Sequence, residues 1–191
     1  YGITIRGDKN MIAEKVADSI SRVGGKDMKN EMELEFDAIS SNESFARVVV
    51  AAFVTQLNPT LEEMNDIKTA VSEAVTNAII HGYENIYGYR KRGQTQFIHM
   101  PVNEGKVRLY CLIEKGVLHI EIEDRGKGIA NIDKAMEPLY TTKPELERSG
   151  MGFSFMEAFM DDLEVESVEG SGTLIRMKKK LDTGSWIDRE D

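Results

Sequence analysis

Val71-Ser72-Glu73-Ala74-Val75-Thr76-Asn77-Ala78-Ile79-Ile80-His81-Gly82 is the stretch from which the fold is read. Its apolar residues continue a set begun at Leu61, Met64 and Ile67, at the three- and four-residue spacing of one helix face. Thr60 and Glu63 stand at the spacing of a capping box, just after Asn58-Pro59 stops the preceding segment, so the helix begins there. Gly82 is its expected end, because only glycine enters the left-handed C′ conformation cheaply. Within this helix Glu73, Asn77 and His81 recur every four residues, one polar stripe drifting about 40° per step. A solvated face is one reading of the stripe. The other is a carboxylate and a carboxamide facing a shared ligand, with Asn77 as a neutral oxygen ligand for Mg²⁺.

Upstream, Met32, Leu34 and Phe36 alternate with Glu31, Glu33 and Glu35, the pattern of a strand with one wet face. Ser40 and Glu43 suggest a second capping box, opening a helix that runs to about Leu57. Downstream, Val107, Leu109, Cys111 and Ile113 alternate, Lys115-Gly116 turns the chain, and Leu118, Ile120 and Ile122 continue on a second strand. Residues 129–151 read as loop, 153–160 as helix, and 163–168 and 173–181 as strands around a Gly170-Ser171-Gly172 turn. Strands and helices are grouped, which points to an α/β two-layer sandwich, a mixed sheet with helices on one face.

The chain has 191 residues, enough for one domain with appendages. Its single cysteine, Cys111, excludes an internal disulfide and a cysteine-based zinc site. No apolar run is long enough to span a bilayer and no secretory signal is evident, so the expected location is cytoplasmic. With 24 basic and 33 acidic residues the net charge is −9, a field that repels nucleic acid and anionic membranes. Backbone amides and Mg²⁺ can still hold a phosphate without net positive charge. Residues 1–27 stand apart from this pattern, and Met28 reads as a natural start. They are expected to be an N-terminal extension, and the acidic segment 182–191 a tail.

Two glycine-marked segments complete the inventory. Asp124-Arg125-Gly126-Lys127-Gly128 follows a strand; it is either a structural turn or a place where a flat ring approaches the backbone while Asp124 accepts from an exocyclic amine. Gly150-Met151-Gly152 precedes a helix, whose first amides favour anions. No Gly-Lys-Ser/Thr follows, and the third glycine of a dinucleotide fingerprint is missing.

The ordered set Glu73-x3-Asn77-x3-His81, Asp124-x-Gly126-x-Gly128, Gly150-x-Gly152-Phe153 and Gly172-Thr173 resembles the gyrase, Hsp90, histidine kinase and MutL ATPase family. Within it, Asn42-Glu43-Ser44-Phe45-Ala46-Arg47, the stretch from Val71 to Glu84 and the stretch from Leu139 to Phe153 are similar to anti-sigma serine kinases of endospore-forming bacteria. The likeness covers about residues 28–85 and 103–181, leaving 86–102 as an insert with Arg90-Lys91-Arg92 and no acidic residue.

The resemblance implies ATP-Mg²⁺ in a pocket under a lid, and two linked activities. One is binding and inhibition of a sporulation sigma factor; the other is phosphorylation of a serine on an anti-anti-sigma protein. By position, Glu73 would take the serine proton and Asn77 would hold Mg²⁺, with His81 beside them. Asp124, Gly126, Gly128 and Thr173 would hold adenine. Residues 141–151 would form the lid, with Thr141, Thr142 and Arg148 near the phosphates and Gly150, Met151 and Gly152 supplying amides. Arg47 would contact the partners, and the protein would be a homodimer. Two rival readings stand beside this one: an ATP-dependent anti-sigma clamp without effective turnover, and a sensor-kinase domain phosphorylating histidine. The latter lacks a dimerisation helix with an acceptor among His81, His99 and His119.

Overall fold

The computed structural model describes residues 29–83, 105–137 and 151–181. Strands β1 (Lys29–Asp37), β2 (Lys106–Glu114), β3 (Val117–Asp124), β4 (Asp162–Val168) and β5 (Gly172–Lys180) form one sheet in the order β1-β2-β3-β5-β4. The two-layer α/β expectation holds, but all four ladders are antiparallel where a mixed sheet was expected. Short turns account for two of them, the β2–β3 and β4–β5 ladders. Lys115 and Gly116 both take positive φ, 53° and 76°, as a tight hairpin between β2 and β3 demands, and hairpin-joined neighbours run antiparallel.

Period-two alternation sorts the strands into two faces. Leu109, Cys111, Ile113, Leu118, Ile120, Ile122, Ile175 and Met177 are buried on one face. The other carries a lattice of ion pairs: Arg108 meets Glu33 at 2.8 Å and Glu123 at 3.4 Å, and Arg176 meets Glu121 at 3.5 Å, Glu164 at 3.4 Å and also Glu166. Half-exposed pairs of this kind contribute at most about 1 kcal/mol each, so the buried face holds the fold.

Helix α1 (Ser41–Val54), extended by a 3₁₀ turn at Thr55–Leu57, and α2 (Leu61–Asn77) pack together on the apolar face. A short α3 (Ile132–Met136) falls inside the segment expected to be loop, capped where Asn131 Oδ1 accepts from Lys134 N–H at 2.9 Å. Helix α4 (Gly152–Phe159) packs on the far side of α2, which is thus the central helix. Ile67, Val71 and Val75 of α2 are fully buried, and each such side chain contributes roughly 1.5–3 kcal/mol.

Of the two capping boxes, Thr60/Glu63 forms in both directions, with bonds of 2.7 and 3.2 Å. Ser40 makes no side-chain cap bond. The Glu43 carboxylate is engaged elsewhere, accepting from Ser72 Oγ on α2 and pairing with Arg47 at 3.4 Å. After Asn77 the helix widens into a π turn, Ala78–Gly82. Gly82 is not left-handed, so its smallness serves another purpose.

Candidate functional site

That purpose is close approach. A Cβ on Gly82 would stand 2.7 Å from Asp124 Oδ1, and one on Gly126 would stand 2.1 Å from the Gly82 carbonyl oxygen. The end of the π turn and the Asp124 loop therefore meet backbone to backbone. Lys127 N–H donates to that same carbonyl at 2.8 Å, and Gly170 N–H donates to Lys127 O at 2.7 Å. Gly128 has φ +70°, and a Cβ there would meet Val168 O at 2.2 Å. Gly172, with φ +110°, passes equally close to Asp124 O. The loop is clamped between the central helix and the β4–β5 turn.

Asp124 ends the buried row of β3 and is the one buried charged side chain among the described residues, 5% exposed. Its Oδ1 accepts from Gly126 N–H at 2.9 Å, and Thr173 N–H also donates to the carboxylate. Burial pushes the carboxyl up to about 6, against the opposing pull of those two amides. A buried acceptor raised by burial and held by only two backbone amides fits a ligand donor. Register places Val107, Asp124, Thr173 and Ser167 in one row across four strands.

The third motif reaches the same helix from another side. A Cβ on Gly152, the first residue of α4, would lie 3.0 Å from Glu73 Oε2 and 3.3 Å from Asn77 Nδ2. Helix α4 thus opens against the carboxylate and carboxamide of α2, with Met151 as its N-cap residue. Amides at a helix start attract anions, and Asn77 stands where it can share a cation with them. Among the described residues no group of three or more His, Cys, Asp or Glu is gathered to hold a metal. A cation here would rest on few protein donors plus phosphate oxygens and water, which suits Mg²⁺.

Glu73, Asn77, Met151 and Gly152 are thus gathered in one cluster, and Asp124, Gly126, Gly128 and Thr173 in another. His81 departs from the expectation: it is half-buried within the π turn, so the four-residue stripe does not continue to it with α-helical geometry. Thr141, Thr142, Arg148 and Gly150, with the expected lid and the 86–102 insert, lie outside the described residues. Arg47 lies on α1, with Phe45 and Val48 exposed on the same helix.

Two residues escaped the sequence reading. Tyr83 is buried; its hydroxyl donates to Lys106 O at 2.6 Å and accepts from Arg125 N–H at 2.8 Å, tying the π turn to β2 and to the Asp124 loop. Ser167 bonds the loop at Ile129 and contacts Thr173. Its signal was the alternation Leu163, Val165, Ser167, which puts a hydroxyl on the core-facing side.

Residues 40–179 match the family described as a histidine kinase-like ATPase domain. The anti-sigma F factor of Clostridium acetobutylicum is 57% identical over 154 residues, which span 81% of this chain and 96% of that protein. The anti-sigma F factor of Bacillus subtilis is 53% identical over 154 residues, 81% of this chain and 94% of that protein. A solved structure of the RsbU and RsbW domains of a Mycobacterium tuberculosis protein matches with a TM-score of 0.53 and 18% identity, over 80% of this chain and 32% of that one, a likeness of fold alone. No helix among the described residues is long and apolar enough to cross a membrane. On the extent and identity of these matches, the chain belongs to the anti-sigma F factors, within the histidine kinase-like ATPase family.

Proposed function

We propose that this chain binds a sporulation sigma factor and holds it inactive, and that it uses ATP and Mg²⁺ to phosphorylate a serine on an anti-anti-sigma protein. The observation that carries the reading is the abutment of Gly152 on Glu73 and Asn77, at one end of a site whose other end is the buried Asp124 carboxylate. A helix start that favours phosphate, a base and an amine-reading acceptor are the parts an ATP site requires.

ATP supplies the transferable phosphoryl group. Asp124 accepts from the adenine amine, while Gly126 and Gly128 leave the backbone bare beside the ring. Asn77 holds Mg²⁺, and Glu73 accepts the proton of the attacking serine hydroxyl. Phosphoryl transfer needs positioning and charge stabilisation more than a covalent nucleophile, so these groups suffice. Met151 and Gly152 supply amides, and Thr141, Thr142, Arg148 and Gly150 complete the phosphate end on the strength of the sequence resemblance.

The partner surface is α1. Phe45 and Val48 are exposed there, apolar contacts beside the guanidinium of Arg47, and a homodimer and a cytoplasmic location accompany the assignment.

The test is phosphate transfer from labelled ATP to the anti-anti-sigma protein. Glu73→Gln should keep ATP binding yet transfer at least ~100-fold more slowly, the usual contribution of a positioned base. Asn77→Ala should instead weaken Mg²⁺-nucleotide binding. Sigma factor held in the presence of ATP by a parent that transfers nothing would favour a clamp without turnover. Equal transfer by parent and Glu73→Gln would move the base elsewhere.

A further inference from the structure

Three contacts converge on the Ser167 hydroxyl. Ile129 N–H donates to Oγ at 2.8 Å, the Gly172 carbonyl oxygen lies 2.9 Å away, and Thr173 Oγ1 lies 2.9 Å away. A serine hydroxyl has one proton and two lone pairs. The carbonyl can only accept, so the Ser167 proton goes to Gly172 O. Ile129 N–H occupies one lone pair, and the other is left to receive the proton of Thr173. The opposite assignment, with Ser167 donating to Thr173, would set Ser167 Oγ against Gly172 O at 2.9 Å with no proton between them. Only one arrangement satisfies all three contacts.

The proton of Thr173 is therefore committed to Ser167, and Oγ1 has only lone pairs left to offer. Thr173 is the cross-strand neighbour of Asp124 on the core-facing side of the sheet. An ionised carboxylate is likewise acceptor-only. We propose that Ser167 is a positioning residue for base selectivity: by taking the Thr173 proton it makes the polar end of the pocket acceptor-only, so that the pocket takes a 6-amino purine and rejects a 6-oxo purine. This rests on the nucleotide reading given above. The bond from Ile129 adds a second effect, since the same hydroxyl holds the end of the Asp124 loop against β4.

The experiment compares calorimetric affinities for ATP and inosine triphosphate, whose ring carries a carbonyl where adenine has its amine, with Mg²⁺ and the full chain. The parent should prefer ATP. In Ser167→Ala, Thr173 is free to turn its proton toward the ligand, so ATP affinity should fall while inosine triphosphate is held or gains. The ratio should narrow by roughly five- to tenfold, the reach of one neutral hydrogen bond. Ser167→Thr keeps the hydroxyl and should keep the ratio. Equal losses for both nucleotides in Ser167→Ala would reduce Ser167 to a structural tie and overturn the proposal, as would an unchanged ratio. Should Ser167→Ala fail to fold, Ser167→Cys, whose thiol is only a weak acceptor for the Thr173 proton, must narrow the ratio in the same direction, and an unchanged ratio there overturns the proposal. A parent that binds both nucleotides equally removes the adenine reading itself, whereas a selective parent with an indifferent Ser167→Ala removes only the role of Ser167.

Discussion

Replacing Asp124 by asparagine should make the free protein more stable at neutral pH while removing its preference for adenine. The carboxyl is raised from 3.8 to about 6 by burial, so the folded state holds its proton over a range in which the unfolded chain has released it. Stability therefore falls as pH rises from about 3.8 to about 6, and the full penalty stands above that range. At 1.36 kcal/mol per pH unit the rise corresponds to about 3 kcal/mol. Asparagine never ionises, and its oxygen can still accept from Gly126; loss of the second amide bond, from Thr173, costs about 1 kcal/mol. The net gain is about 1–2 kcal/mol, or roughly 2–8 °C in midpoint for a domain of this size. Thermal and urea unfolding of parent and Asp124→Asn at pH 7.5 and at pH 4.5 would measure it, and the advantage must shrink at the lower pH. An asparagine variant less stable than the parent at pH 7.5 would refute the reasoning, because the two amide bonds would then outweigh the burial penalty. The same variant should bind ATP more weakly, a stability gain won at the site's expense.

Gly126→Ala should destabilise by at least the 1–3 kcal/mol typical of overpacking and abolish nucleotide binding, since its Cβ would sit 2.1 Å from a carbonyl that cannot retreat. Gly170→Ala, with open space around it and only a φ of +78° against it, should lose about 1 kcal/mol and keep binding; matched melts and calorimetry separate the two. Arg47→Ala should weaken pull-down of both the sigma factor and the anti-anti-sigma protein and leave ATP affinity intact. Its ion pair with Glu43 contributes only about 0.3–0.5 kcal/mol, so a large drop in midpoint would mark a structural role instead. Thr60→Ala should lose about 1 kcal/mol by chemical denaturation whereas Ser40→Ala should lose almost nothing, because only the first side chain caps a helix.

Alternation and spacing made most of the fold legible. The strand at Met32–Phe36 and the two strands around Lys115-Gly116 follow from period-two burial, and the Thr60 box gave the start of α2. Where two partners compete for one side chain, a local pattern is not enough. Ser40-x-x-Glu43 satisfies the capping rule, but Glu43 is drawn to Ser72, 29 positions away, a contact no local window contains. Gly82 was marked as important for the wrong reason: the sequence allowed a left-handed cap, and the structure uses the missing Cβ to let Asp124 pass. Glu73, Asn77, Asp124 and Gly152 were legible as chemistry, but only packing brings Gly152 onto Glu73. Ser167 and Tyr83 carried no motif, since a single hydroxyl in a strand or after a helix reads as ordinary until its partners are known.

The π turn at Ala78–Gly82 separates two geometric demands on one continuous segment. Upstream, the α-helical phase must keep Glu73 and Asn77 turned toward the start of α4. Downstream, the Gly82 carbonyl must be turned toward Lys127 N–H, and Gly82 itself toward Asp124. A single α-helical phase would fix the second direction once the first was set. The wider turn absorbs the mismatch, so chain length between residues 78 and 82 acts as an adjusting screw between the Glu73–Asn77 cluster and the Asp124 loop. Removing one residue there would leave composition nearly unchanged, yet it would swing the following carbonyl by about a quarter of a turn, 100° in α-helical terms. In this segment residue count, together with the missing Cβ of Gly82, sets how the two clusters are aligned.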